Sequence, residues 1–252
     1  MAYKLYDFNG NETSFDNLED KSFWCKHGEH QELAFVKVFD ELKSKNMINS
    51  NLDIQIHPEK ENNPYHPDLQ VNGSIVAEAK IKNSPLFMAR TYGVDPQYAL
   101  TIDLKDVFNY KKKLIEDQQD LLIFIWVKWE AHKMVTNRGE TSVRAMAGIW
   151  SCNFSKILYF LSDNAHCYPK IHWYGEKFRQ PQYYLEDEEW SEELLDLDSR
   201  LKEGRKVKNI SSNGFCTPDK TGRTYPAGQS SASYVFDLSN ENLFNKLYFK
   251  IW

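Results

Sequence analysis

No apolar run in the 252-residue chain approaches the length that spans a bilayer, and the first residues carry no charged and apolar signal segment. Both absences predict a cytoplasmic protein with no membrane partner. Cysteine is scarce, and Cys25, Cys152, Cys167 and Cys216 form no Cys-x-x-Cys, no zinc spacing and no four-cysteine iron-sulfur pattern. They are expected to be reduced thiols. No internal repeat appears. Positive charge is also in short supply: 31 Lys and Arg stand against 36 Asp and Glu, for a formal net charge of −5 and an isoelectric point near 5.8. That balance counts against a nucleic-acid partner, whose binding leans on phosphate neutralisation. The charge is uneven, however. Acids cluster from Glu186 to Asp198, whereas bases gather at Lys111-Lys112-Lys113 and from Arg200 to Lys208. The acidic segment reads as a solvated face away from substrate, or equally as a mimic that guards a cleft.

The chain is long enough for one large domain, or a core with a small appendage, whose interior needs no staples. Aromatic residues are plentiful, with 7 Trp, 14 Tyr and 15 Phe, and serve core packing before base stacking. Phe35, Val38, Phe39 and Leu42 recur at helical spacing and predict a helix from His27 to Lys45. A short alternating strand follows at Leu52 to His57. Asp103 is placed to cap a helix through Leu104, Val107, Phe108, Tyr110, Lys111 and Leu114, and Leu121 to Trp129 is the near-continuous apolar run of a buried strand.

Between these elements lies a hairpin defined by parity. Side chains alternate faces along a strand, and opposed residues of an antiparallel pair share a face. From Asp68 to Lys82 the odd-numbered Leu69, Val71, Ile75, Ala77, Ala79 and Ile81 are apolar, the even-numbered Asp68, Gln70, Ser74, Glu78, Lys80 and Lys82 are polar, and only Val76 breaks the pattern. The odd set is one continuous core face if the loop at Asn72-Gly73 holds an odd number of residues. A three-residue loop with Gly at the left-handed position does this. The two-residue type I′ turn that Asn-Gly often signals would bury Asp68 and throw Glu78 and Lys80 to the far side.

Parity therefore gathers Asp68, Glu78 and Lys80. Two adjacent carboxylates raise each other's pKa unless positive charge lies between them, and a divalent cation is the natural occupant. Oxygen ligands favour Mg²⁺, with Mn²⁺ as a substitute, over Zn²⁺. Such an ion lowers the pKa of a bound water and polarises a phosphoryl oxygen, while Lys80 holds the hydroxide or neutralises developing charge.

Pro67, Asp68, Glu78 and Lys80 resemble the motif of the PD-(D/E)xK nuclease superfamily, the restriction-endonuclease-like fold. The second Pro-Asp, Pro218-Asp219, has no acid-x-Lys in reach. The resemblance covers roughly the first half of the chain and implies an α/β fold with an α-β-β-β-α-β core, matched by the element order from 27 to 129. Residues 130–252 would be a C-terminal extension of the same nuclease domain. The resemblance further implies that Asp68 and Glu78 hold the metal, that the Ala79 carbonyl completes its shell, and that an additional acid comes from the first helix. Glu32 is the best placed, on the buried stripe three and seven residues before Phe35 and Phe39. It reads equally well as a carboxylate favoured by a helix N-terminus, and Glu29 is its substitute. The implied activity is Mg²⁺-dependent hydrolysis of double-stranded DNA, leaving a 5′-phosphate, as in type II restriction enzymes. A two-fold symmetric target would call for a homodimer. A repair, junction-resolving or RNA-cutting nuclease stays open, as does a nuclease fold kept as a binding module. Gln97-Tyr98 has the wrong spacing for the RecB-like nucleases.

Further candidates have plainer readings beside the functional one. Asp103-Leu104-Lys105 also spells acid-x-Lys but reads more simply as a helix cap. Gln55 and Gln70 would orient a water or ligand, or simply solvate a strand face. His27 and His30 flank the helix start, where viral cap-snatching members of the superfamily carry a metal-binding histidine, yet they read as surface histidines, like His57 and His66. Lys111 is a candidate substrate contact. Past residue 130, Ala131 to Trp150 reads as strand, turn and strand around Asn137-Arg138-Gly139, with Val143 to Trp150 pairing back on the preceding strand. Ser155 to Leu161 reads as a short helix. Arg205 to Ser233 is rich in Gly, Ser, Thr, Asn and Lys, and is a mobile loop or a segment that orders on nucleic acid. Lys206, Lys208, Lys220 and Arg223 would contact phosphates there, and Asn213 or Gln229 base edges. Leu243 to Trp252 is apolar enough to dock on the core.

Overall fold

A strand that is apolar at nearly every position must be covered on both faces, and Leu122–Lys128 is covered by two different hydrophobic clusters. The computed structural model describes residues 3–13, 21–63, 66–163, 169–173 and 232–252, with the side chains of 3, 13, 21–30, 105, 131 and 173 outside that description. In chain order the elements are β1 (Tyr3–Asp7), β2 (Glu12–Thr13), α1 (Lys21–Ser44), β3 (Ile54–Ile56), β4 (Leu69–Val71), β5 (Ile75–Lys82), β6 (Ala99–Asp103), α2 (Leu104–Asp117), β7 (Leu122–Lys128), β8 (Ala131–Thr136), β9 (Gly139–Ser142), β10 (Met146–Asn153), α3 (Phe154–Asp163), β11 (Ile171–Trp173), β12 (Ala232–Asp237) and β13 (Asn245–Ile251). Short 3-10 turns lie at Pro58–Glu61 and Ala89–Tyr92.

The architecture is mixed α/β. A central six-stranded sheet runs β13-β10-β7-β5-β4-β3, with β5 and β7 parallel and the other neighbours antiparallel. Phe35 and Phe39 of α1 seal one face against Leu69, Val71, Ala77, Phe124 and Ile149. Leu104, Val107 and Tyr110 of α2, with Phe154, Ile157 and Leu161 of α3, cover the other face over Ile123, Ile125 and Val127. Two smaller sheets, β2-β1-β8-β9 and β11-β12-β6, flank this core. Among the described residues no helix is long and apolar enough to cross a membrane.

The hairpin has the anticipated register, with Leu69 opposite Ala77 and Val71 opposite Ile75 around a three-residue loop. Asn72 and Gly73 both take positive φ, 50° and 72°, as a type I′ turn demands. Ser74, whose N–H donates to the Val71 carbonyl at 3.2 Å, is the additional residue that restores parity. Asn72 tolerates its left-handed backbone because it is held on both sides: its N–H donates to the Asp53 carbonyl, and its Oδ1 accepts from the Asp53 N–H, each at 2.8 Å. Ile75, expected on the core face, lies at the hairpin tip and is 40% exposed.

Elsewhere the elements differ in detail. The first helix begins at Lys21 rather than His27, and the strand expected at Leu52 to His57 is only Ile54–Ile56. β6 is interposed between β5 and α2 and pairs with β12 in a separate sheet. Asp103 does occupy the N-cap of α2 but makes no capping bond. Its Oδ1 instead accepts from Ser233 Oγ at 2.7 Å, drawn off by a strand 130 residues away. Between Ala131 and Trp150, β8 closes on β9, while β10 pairs with β7. The helix expected at Ser155 to Leu161 lies within α3, and the C-terminal run docks through β13 on β10.

Candidate active site

The even-numbered side chains of β5 face α2, and that face is where the polar residues of the hairpin collect. Asp68 immediately precedes β4 and is 9% exposed. Its backbone N–H donates to Glu78 Oε2 at 3.4 Å, and its Oδ2 accepts from the Ala79 N–H at 3.2 Å. Asp68, Glu78 and Ala79 are thus drawn together, with Ala79 engaging Asp68 through its amide. Lys80 Nζ lies 3.4 Å from Glu78 Oε1.

Neighbours from other elements complete the cluster. Tyr110 of α2 donates its hydroxyl to Glu78 Oε1 at 2.8 Å, and its ring lies under the Lys80 ammonium, 5.3 Å from ring centroid to nitrogen. Asp106, one helical turn before Tyr110, accepts from Lys80 Nζ at 2.6 Å. On the opposite flank, Lys60 of the first 3-10 turn bonds to Asp68 Oδ1 and, at 2.7 Å, to Glu32 Oε2. Charge therefore alternates in two triads, Glu32–Lys60–Asp68 and Glu78–Lys80–Asp106, joined through the Asp68 backbone. Farther along β5, Lys82 Nζ bonds to Thr101 Oγ1 at 3.1 Å, and burial depresses its pKa.

Burial sets the proton affinities. It pushes Glu32, with help from the negative charge of Asp68 and against Lys60, up to about 7. Glu78 is likewise raised by burial and by Asp68, against the pull of Lys80 and Tyr110. Burial opposes the charge of Lys80, yet Asp106, Tyr110 and Glu78 hold its pKa well above the ordinary lysine value. Lys80 is consequently an ammonium, able to donate hydrogen bonds and neutralise charge but not to accept a proton. Tyr110, raised well above its ordinary value by burial and Glu78, is a hydroxyl donor.

Sequence reasoning missed Lys60, Asp106 and Tyr110 as members of this cluster. Asp106 and Tyr110 carried a signal, since residues four apart share a helix face and Tyr110 is a core position. Nothing in local periodicity points to Lys60. Gln55 and Gln70 do share the polar face, with Gln55 Nε2 donating to Gln70 Oε1 at 2.7 Å. His57 and His66 lie with ring centroids 3.9 Å apart and planes tilted by 36°, beside Asp68. The Nδ1 of His57 accepts from the Glu59 N–H at 3.2 Å, capping the turn that carries Lys60. These two histidines are therefore structural neighbours of the site rather than free surface groups. Lys111 follows Tyr110 on α2 and is half-buried. His27, Glu29 and His30 have side chains outside the described residues, as does Lys105. Lys206, Lys208, Asn213, Lys220, Arg223 and Gln229 lie outside the described residues altogether, as do the acidic run Glu186 to Asp198 and the basic run Arg200 to Lys208. Cys152 is free and buried, its thiol pushed up to about 12 by burial.

No family model, no curated protein and no solved structure matches this chain.

Proposed function

We propose that this chain is a Mg²⁺-dependent endonuclease of the PD-(D/E)xK, restriction-endonuclease-like type, hydrolysing phosphodiester bonds of double-stranded DNA in the cytoplasm. The observation that carries the reading is that Asp68, Glu78 and Lys80 meet on one polar face of the β4–β5 hairpin, with Glu32 of the preceding helix brought to Asp68 by Lys60.

A divalent cation suits these residues. The donors are all oxygens, and Glu32 and Asp68 already converge on one cation, the ammonium of Lys60. Among the described residues no three His, Cys, Asp or Glu side chains form a complete metal site. An ion would therefore be shared between the protein and oxygens of water and phosphate, the usual manner of Mg²⁺. Asp68 and Glu78 would hold it, with the Ala79 carbonyl as a third ligand on the family pattern, while the pattern's further acid, Glu32, is engaged by Lys60. When bound, such an ion supplies a lowered water pKa and charge neutralisation at phosphorus.

The remaining work falls to this chain's own groups. Lys80, fixed by Asp106 and permanently charged, donates to the attacking water or to a non-bridging phosphoryl oxygen. Tyr110 holds Glu78 Oε1, which fixes the carboxylate's orientation. Water adds to phosphorus and gives up a proton to solvent as the P–O3′ bond breaks, and the departing O3′ takes a proton from solvent, leaving a 5′-phosphate and a 3′-hydroxyl. A two-fold symmetric site on DNA would bring two copies together.

Incubation of plasmid and phage DNA, and of single-stranded RNA, with Mg²⁺ or Mn²⁺ tests the reading beside Lys80→Ala. Discrete DNA fragments that vanish with the variant are expected. Smeared or RNA-only cutting would point to a repair, junction or RNA nuclease. No cutting would favour a nucleic-acid-binding module, a reading that draws on the Glu32–Asp68 pair being already neutralised by Lys60.

A further inference from the structure

Asp68 faces two ways. Its Oδ1 meets Lys60, and through Lys60 it meets Glu32, whereas its Oδ2 and its backbone N–H point to Ala79 and Glu78. The carboxylate therefore separates two lobes, each with a second acid on its far side. An arrangement of this kind suits two cations, one per lobe, as in two-ion phosphodiester cleavage. One lobe already holds an ammonium.

Lys60 is not a surface lysine that happens to lean inward. Its side chain is 15% exposed, and those of its partners Glu32 and Asp68 are 16% and 13% exposed. It sits on a tight turn that begins with Pro58, is capped by His57 Nδ1, and is closed by the Lys60 N–H donating to the His57 carbonyl at 3.0 Å. That turn is tied to the same aspartate, because the His57 N–H donates to the Asp68 carbonyl at 3.0 Å. Swinging the ammonium out would leave two largely buried carboxylates facing each other with no cation between them.

We infer that Lys60 is a built-in second cation: it fills the Glu32–Asp68 lobe permanently, so that the site takes one divalent ion per chain, in the Asp68–Glu78 lobe. The inference rests on the nuclease reading and deepens it. Lys60 keeps a fixed positive charge on Asp68 Oδ1, and Glu32 acts as a positioning residue for that lysine rather than as a metal ligand.

The test counts Mn²⁺ bound per chain by electron paramagnetic resonance of the free ion, without substrate and with the full chain. One ion is expected for the wild type, one for Lys60→Arg, which keeps a fixed cation, and two for Lys60→Met, which opens the second lobe at similar side-chain volume. Thermal melts of the metal-free proteins show whether each variant is folded, and the wild-type count stands on its own if Lys60→Met is not. Two ions in the wild type, or one in a folded Lys60→Met, would overturn the role of Lys60 and leave the nuclease reading intact. No bound ion in any of the proteins would overturn the count of one, and the nuclease reading falls with it only if DNA cleavage fails as well.

Discussion

Lys80 Nζ donates to Asp106 Oδ2 across 2.6 Å and ties the central strand β5 to the first turn of α2. The bond sets the protonation state of the lysine, since Asp106 is the largest influence holding its ammonium charged against burial. It also closes α2 over the polar face of the hairpin, so that the charge state of Lys80 and the docking of the helix depend on the same contact.

Removing that carboxylate should destabilise the fold. Asp106→Asn leaves Lys80 with Glu78 at 3.4 Å as its remaining acid, and Asp106 is partly solvated, which softens the loss. Unfolding in urea should show a deficit of about 1–3 kcal/mol. A midpoint equal to the wild type would mean that the pair contributes no more than a surface ion pair.

Glu32 makes stability depend on pH. Its pKa is about 7 in the folded chain against 4.5 in the unfolded reference, so between these values the folded state binds more protons and stability falls as pH rises. The lost stability is on the order of 2 kcal/mol, discounted for partial solvation, or about 5 °C in melting temperature. Melting curves of the metal-free protein from pH 4.5 to pH 8 should show this fall, and Glu32→Gln should flatten it. Parallel curves for the two proteins would contradict it.

Tyr110→Phe removes the donor that lowers the Glu78 pKa. Glu78 then ionises at higher pH, and if the chain cleaves DNA as proposed the acid limb of that activity should move upward, at a stability cost of about 1–3 kcal/mol. The variant keeps the ring that packs on Phe154 at 5.5 Å, so a large loss of folding would point to a role beyond the hydroxyl.

Deletion of Ser74 tests the parity of the hairpin. The remaining Asn72-Gly73 would make a two-residue turn and slip one strand by a residue, turning either Leu69 and Val71 or Ala77 out of the core. The melting temperature should fall by more than about 10 °C, given that each buried apolar side chain lost costs roughly 2–5 kcal/mol. A variant that melts near the wild-type temperature would show that the register is set elsewhere.

Much of this arrangement was legible in the sequence, because period-2 alternation says which residues share a strand face whatever packs against them. The odd-even split from Asp68 to Lys82 placed the acids and Lys80 together and demanded the three-residue loop. The continuous apolar run at 121–129 likewise demanded a strand covered twice. Other features had no local trace. β1 and β6 are short strands whose partners, β8 and β12, lie more than 120 residues away, and Asp103 was claimed by Ser233 rather than by the helix it precedes.

By itself, then, the sequence determined the mixed α/β class, the hairpin register and the sharing of one face by Asp68, Glu78 and Lys80, since strand and helix periods are properties of the backbone, whereas the interposed β6 escaped it. Only the tertiary structure decided what meets that face. Lys60 between Glu32 and Asp68, Asp106 on Lys80 and Tyr110 on Glu78 are contacts across 8 to 32 residues of chain. Electrostatic pairing acts through space and at short range, and periodicity shows which way a side chain points without saying which charge will be waiting for it.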